Sequence, residues 1–357
     1  MISVPGSKLG PALLRFDPEI PSRAGSHPFK ALRTHGPYDS SRVDLGNGAL
    51  LFVFPEQEQA LARRLATALL SGVGAYPGFA KMFTVPVATG EAIKQRRVAA
   101  DLSRPAAAAA AYRREIEAWN QEPRERDPSL ALVLVPRTEP AEINTPYYEA
   151  KAAFANLGIP SQMVTLELLD NEREFRFSVA NIALAAFAKL GGVPWAVDAP
   201  PDDHDLVVGV GRADVGAQRD LKRFFGYAVA FVSNGIYRQT WSFTPTADED
   251  TYEQNLERAV SGALSQDLDQ APKRLVIHLA RNAGRREIAA VERATNVVGL
   301  KLPVAFLRLD DSSLHDIADT GQPAFAPAKG LVAKLAPHRA LLQTEGGWPG
   351  PHHRVDT

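Results

Sequence analysis

The sequence predicts an α/β protein of two domains, on three observations. From Gly48 to Gly192, short apolar runs alternate with helical stretches. Three apolar runs then follow one another directly, the second and third joined at Asn234-Gly235. A helix, strand, helix, strand order comes after them. At 357 residues the chain has room for two domains of the usual ~100–200 residues.

The first 45 residues are rich in Pro, Gly and Ser, show little periodicity and read as a lead-in segment, 1–45. "GALLFVFP", Gly48 to Pro55, fits a buried strand. "EQEQALARRLATALLSG" follows as an amphipathic helix with Leu61, Leu65 and Leu69 four apart, ending at Gly72. "MFTVPV" is a weaker strand. "RPAAAAAAYRREIEAWNQ" is a helix opened by Pro105 and carried by six alanines. "SLALVLVP", Ser129 to Pro136, is the clearest buried strand. A helix at "PYYEAK", a strand at "SQMVTLELL" and a helix at "FSVANIALAAFAKLGG", closed by Gly191 and Gly192, complete the alternation. Strands alternating with helices imply parallel pairing in a Rossmann-like domain, 46–197.

Beyond the Pro/Asp-rich "DAPPDDHD" the pattern changes. "HDLVVGVGRADV", "FGYAVAFVSN" and "IYRQTWSFTP" are successive strands, with Asn-Gly marking a hairpin. The helix "DEDTYEQNLERAVSGALS", the strand "KRLVIHLA", the helix "RREIAAVERAT" and the strand "LPVAFLRL" follow. A three-strand meander, helix, strand, helix, strand is the order of an RNase H-like domain, 198–357.

A net charge of −1 excludes binding of nucleic acid by overall basicity, so such a partner would be held by local clusters. The chain has no cysteine, which removes disulfides, thiolate zinc sites and cysteine nucleophiles, and fits a reducing cytoplasm. "MISVPGSKLGPALLRFDPEIP" lacks the charged start and apolar run of a signal peptide. No apolar segment approaches the ~18–20 residues of a membrane span. The expected location is cytoplasmic, with no membrane partner.

One constellation carries chemistry. Tyr147 and Lys151 are four apart and share a helix face. Gln162 starts the next strand, and Lys189 ends the following helix beside two glycines. An ammonium suits phosphate, an amide N–H is a donor, and a Tyr offers a hydroxyl and a ring for a base to stack on. Together the four could receive the phosphorylated end of a nucleic acid.

The run "YYEAK…GIPSQ", followed by "NIALAAFAKLGGVPW", resembles the MID domain of an Argonaute. In that family a Tyr and Lys one turn apart, a Gln and a second Lys hold the guide strand's 5′-phosphate. "KALRTHGPYD" is similar to the segment leading into that domain in short prokaryotic Argonautes, which lack the N and PAZ domains. The resemblance spans residues 28 to 340 and implies a Rossmann-like MID domain followed by an RNase H-like PIWI domain. It assigns the guide 5′-phosphate to Tyr147, Lys151, Gln162 and Lys189, and the first guide base to Asn144.

The resemblance also implies what the PIWI domain lacks. Catalytic members hold two divalent ions on strand-end carboxylates. The position matching the first aspartate is Gly211, in "VVGVGRADV", and that matching the second is Ala280, in "VIHLAR"; neither ligates a metal. Asp214 lies three residues along, on the opposite strand face and about 10 Å away. The expectation is a catalytically inactive, non-enzymatic PIWI domain with no catalytic metal. Arg219, Lys222, Arg223, Arg281, Arg285 and Arg286 are candidates for holding the nucleic-acid backbone.

By the same resemblance, a Mg2+ ion could sit at the guide 5′-phosphate. The tail "GGWPGPHHRVDT" is unlike the family's ending and leaves open whether the chain continues past Thr357. The implied partners are a 5′-phosphorylated guide RNA or DNA, a complementary target strand of DNA, and a PAZ-like effector protein. That effector would carry a sirtuin-like, TIR or nuclease domain in prokaryotic defence against plasmids or phage. Two other readings stand beside this one. The first is an active guide-directed endonuclease with displaced metal ligands. The second is a Rossmann-type enzyme acting on a phosphorylated small molecule, against which no G-x-G-x-x-G turn follows an early strand.

Overall fold

The computed structural model describes residues 3–45, 49–87, 90–123, 127–139, 142, 144–199, 204–215, 222–246, 249–266, 271–279, 282–308, 317–322, 325–337 and 339–343. It divides into two compact units, one of Leu14–Ala196 and one of Met1–Leu13 with Val197–Thr357.

The first unit is built on four parallel strands, β1 (Ala49–Pro55), β2 (Ile93–Val98), β3 (Pro128–Val135) and β4 (Ser161–Thr165), in the order β2-β1-β3-β4. Strand β3 is apolar on both faces because both faces are covered. Leu130, Leu132 and Leu134 join one core, and Ala131, Val133 and Val135 join another. Continuous apolar runs are what a parallel sheet between helix layers requires.

Helices α1 (Gln59–Ser71), α2 (Pro105–Gln121), α3 (Pro146–Asn156) and α4 (Glu172–Lys189) supply the layers. Ala150 and Phe154 of α3 pack with Tyr112 and Ile116 of α2 on one face. On the other face, Phe175, Val179, Ile182, Ala183, Ala186 and Phe187 of α4 pack with Leu65 and Leu69 of α1. The α4 spacing is that of a single helical stripe. The Asn171 side chain caps α4 by accepting from the Glu174 N–H at 3.2 Å.

The second unit contains a mixed sheet. Strands β5 (Asp205–Val215), β6 (Lys222–Val232) and β7 (Tyr237–Thr246) form an antiparallel meander, and β8 (Arg274–Leu279) and β9 (Val304–Arg308) add in parallel, giving β7-β6-β5-β8-β9. Gly235, at φ +79°, makes the turn between β6 and β7 that the Asn-Gly pair announces. Helices α5 (Glu249–Leu264) and α6 (Arg285–Val298) contribute Leu256, Val260, Val291 and Ala294 to its core.

Two expectations are corrected. "MFTVPV" is not a strand. Phe79–Phe83 is a short helix whose Phe83 ring stacks on Phe187 at 4.2 Å, and of the rest only Val87 makes a bridge, to Leu45. The strand of that region is Ile93–Val98, an edge strand whose Lys94, Gln95, Arg96 and Arg97 hid it from a search for apolar runs. "SQMVTLELL" divides into strand Ser161–Thr165 and helix Leu166–Asp170. Within 1–45, Gly6–Lys8 pairs antiparallel with β10 (Leu331–Ala336), which also pairs with β11 (Arg339–Leu342), and Pro28–His35 is a helix of the first unit.

Gly192 closes the turn after α4. A Cβ there would stand 2.3 Å from the Phe187 ring, itself fully buried and stacked on Phe83. The ring has nowhere to go, so Gly192→Ala is expected to cost about 1–3 kcal/mol by overpacking, read as a lower urea midpoint with an unchanged slope.

Candidate nucleic-acid interface

The site is set by how α3 begins and how β4 begins. Thr145 is extended at the α3 N-cap, and Pro146 occupies the first turn, where its missing N–H costs nothing. Tyr147 and Lys151 then stand one above the other. The Lys151 ammonium lies 3.3 Å from the Tyr147 hydroxyl and 5.3 Å from the ring centroid. The Tyr148 ring meets that of Tyr147 edge-on at 5.2 Å.

After α3 the chain turns at Gly158, φ +69°, and Ile159 N–H bonds back to Phe154 at 3.0 Å. Pro160 accepts from Ala131 N–H at 2.9 Å, which docks β4 against β3 and puts Gln162 opposite Leu132. The Gln162 amide is oriented at both ends. Its N–H2 donates to the Met163 carbonyl at 2.8 Å, and its oxygen accepts from Lys189 at 2.7 Å. Lys189 also donates to the Ser161 carbonyl at 2.6 Å. Sequence reading missed that backbone acceptor, since any residue supplies one.

The two halves are one cluster. Burial, and then the charge of Lys151, hold the Lys189 ammonium below its usual range. Among the described residues neither lysine is paired with a carboxylate. The remaining free hydrogens on Lys151, Lys189 and Gln162, with the Tyr147 hydroxyl, form a set of donors without a counter-charge. Such a set has the donors and the charge that binding an anion requires. It is not a resident Mg2+ site on these four side chains: two ammonium groups repel the ion, and the Gln162 oxygen is already taken.

Asn144 is exposed two residues before α3. Beside it the Thr145 hydroxyl is buried and, among the described residues, has no hydrogen-bond partner, another feature no pattern in the sequence announced.

In the second unit, Gly211 of β5 stands opposite Tyr227 of β6. A Cβ at Gly211 would lie 1.9–2.3 Å from the Tyr227 ring, which is half exposed and lies over the glycine. His278 of β8 pairs with Gly209, and burial lowers its pKa. Ala280, Arg281 and Arg219 lie outside the described residues, and Lys222 and Arg223 are placed only as the first two residues of β6. Arg285 is exposed at the start of α6. Arg286 is already engaged, 3.2 Å from both Asp250 and Glu253. Among the described residues no group of three His, Asp or Glu is placed to hold a metal, and no helix is long and apolar enough to cross a membrane.

Residues 133–284 match the Piwi domain family. Over 344 residues, 91% of this chain and 44% of the relative, the chain is 23% identical to "Protein argonaute" of Cereibacter sphaeroides. Over 217 residues, 56% of this chain and 49% of the relative, it is 26% identical to "Piwi protein" of Archaeoglobus fulgidus. The chain thus spans about half the length of the curated relatives it matches. Its fold is shared with Drosophila Piwi, at TM-score 0.65 and 17% identity over 96% of this chain and 46% of that one. It is also shared with Clostridium butyricum Argonaute bound to a guide DNA and a 19-mer target DNA, at 0.61 and 16% over 95% and 43%. The chain is therefore similar to Argonautes along most of its length, and its second unit has the RNase H-like order expected of a PIWI domain.

The folded-state pKa of Lys189 is depressed, so the unfolded chain holds that proton more tightly. Stability of the unliganded protein therefore rises with pH between the lowered value and the ordinary 10.5. Lys151→Ala removes the smaller of the two causes. NMR titration of the Lys189 side chain should show its pKa moving up in the variant but stopping short of 10.5. An unmoved titration would mean the two ammonium groups do not share a site.

Proposed function

We propose that this chain binds a 5′-phosphorylated guide strand and presents it to a complementary target without cutting the target. The convergence of Tyr147, Lys151, Gln162 and Lys189 carries the reading. Four side chains from two helices and a strand supply only donors and positive charge, with one ammonium already disfavoured until an anion arrives. A terminal phosphate, doubly charged and rich in acceptors, satisfies such a set better than an internal phosphodiester. The matches to Argonaute relatives and folds support nucleic acid as the bearer of that phosphate. The MID role of the first unit belongs to this reading.

The position of the cluster argues against a small-molecule Rossmann enzyme. Open α/β enzymes bind ligands at the carboxyl ends of their strands, near the switch in strand order. Here Gln162 is the second residue of β4 and Lys189 bonds to the first, so the cluster lies at the amino end of an edge strand.

The non-cleaving half of the reading rests on Gly211. A carboxylate there would need the Tyr227 ring to move, and the glycine itself offers no ligand. Prokaryotic defence, in the cytoplasm and through a PAZ-like effector protein, is the wider setting we propose on the family resemblance.

The test compares short oligonucleotides, RNA and DNA in parallel, with 5′-phosphate or 5′-hydroxyl ends at one salt concentration. The native protein is expected to prefer the phosphorylated end by about 10–100-fold, the range of one or two charge-assisted contacts. Lys151→Ala with Gln162→Ala should erase that preference while leaving weak binding of both. Equal affinity for the two ends in the native protein would refute the guide pocket. For the second half, a guided complementary target should stay intact in Mg2+ and in Mn2+, and a discrete cut product would refute a non-cleaving domain.

A further inference from the structure

The second place where the first unit gathers positive charge is on its opposite sheet edge. The Gln59 amide oxygen, in the rotamer that satisfies its neighbours, accepts from Arg97 at 3.1 Å and from Arg63 at 3.2 Å. Arg97 is the fifth residue of β2, and Gln59 and Arg63 lie in the first two turns of α1. All three thus stand where β2 ends and α1 begins, at the carboxyl end of the sheet. Both arginines are exposed, and among the described residues neither is paired with a carboxylate.

The bland account of cations here is edge protection, since charges on an outer strand discourage pairing with other chains. Lys94, exposed on the same strand, does that without help. Edge protection does not require two guanidinium groups to turn inward onto one neutral oxygen, where they repel each other. The neighbouring Arg96 shows the alternative, because it is neutralised by Glu115 and Glu122 of the α2 side. Arg63 and Arg97 are left with fork-shaped donors that match phosphate oxygens.

We propose that Arg63, Arg97 and Gln59 form a second phosphate site, which holds a backbone phosphate of a bound nucleic acid. It takes an internal phosphodiester: it is open to solvent and lacks the pair of ammonium groups that would favour a doubly charged end. It lies across the sheet from Lys189. Three strand spacings and the length of a strand separate the two, roughly 20–25 Å. At one phosphate per about 3.4 Å of stacked strand, about seven or eight nucleotides are needed to occupy both. The site goes beyond the guide pocket and depends on that reading only for the choice of probe.

The test measures salt-dependent binding of three probes to the native protein and to Arg63→Gln with Arg97→Gln. The probes are a 5′-phosphorylated dinucleotide, a 5′-phosphorylated strand of about 20 nucleotides, and its 5′-hydroxyl twin. The double variant should weaken both long strands about 10-fold or more, lower the slope of log affinity against log salt by about one to two, and leave the dinucleotide unchanged. Arg63→Lys with Arg97→Lys should recover the slope and only part of the affinity. If the guide pocket fails, the two long strands bind alike, yet both still lose affinity in the double variant. Long-strand affinity and slope unchanged by Arg63→Gln with Arg97→Gln would overturn the proposal and leave the cluster as edge protection.

Discussion

The constraint on which the first unit depends is a strand with no polar face. Every side chain from Leu130 to Val135 is buried, alternately into two different cores, so helices must cover both sides of the sheet. One layer brings α3 and its Lys151; the other brings α4 and its Lys189. Such helices could never touch through a wide sheet. They meet here because β4, at the margin and only five residues long, lets side chains from both faces reach around its beginning. The charge cluster thus follows from topology: two layers, one short outer strand, and a Gln whose amide is fixed between a lysine and its neighbour's carbonyl.

Legibility in the sequence followed the same logic. The strands of β1 and β3 were readable because apolar runs bounded by Pro and Gly have few other uses. The Tyr147–Lys151 pair was readable because helical spacing is local. The strand Ile93–Val98 was not, since an outer strand needs apolar side chains on one face at most, and this one carries three cations. Contact between Gln162 and Lys189, 27 residues apart, depended on where α4 ends over the sheet, which no local pattern encodes. The pairing of Tyr227 with Gly211 depended on the register of two long strands, and a slip of one residue would turn the ring to the other face.

Both units pair some of their arginines with carboxylates. In the second, two arginines on α6 are answered by acids on α5: Arg293 bonds to Glu257 at 2.8 Å and Arg286 reaches Asp250 and Glu253. These pairs are exposed and screened by solvent, so they add little to stability. In the first unit Arg96 and Arg64 are answered likewise, while Lys151, Lys189, Arg63 and Arg97 are not. Cations that are gathered together and not answered by carboxylates are the places to look for an outside anion.

The strand Gly6–Lys8 lies on the outer side of β10, so the beginning of the chain is structurally a piece of its far end. Order along the polypeptide and order in space differ by that one strand. A scissile linker placed after Ala196 would therefore not yield two whole halves, because the carboxyl-terminal fragment would leave its outermost ribbon attached to the other. Circular permutation, which rejoins residues 3–13 to that fragment, is the construction that would let it be expressed intact.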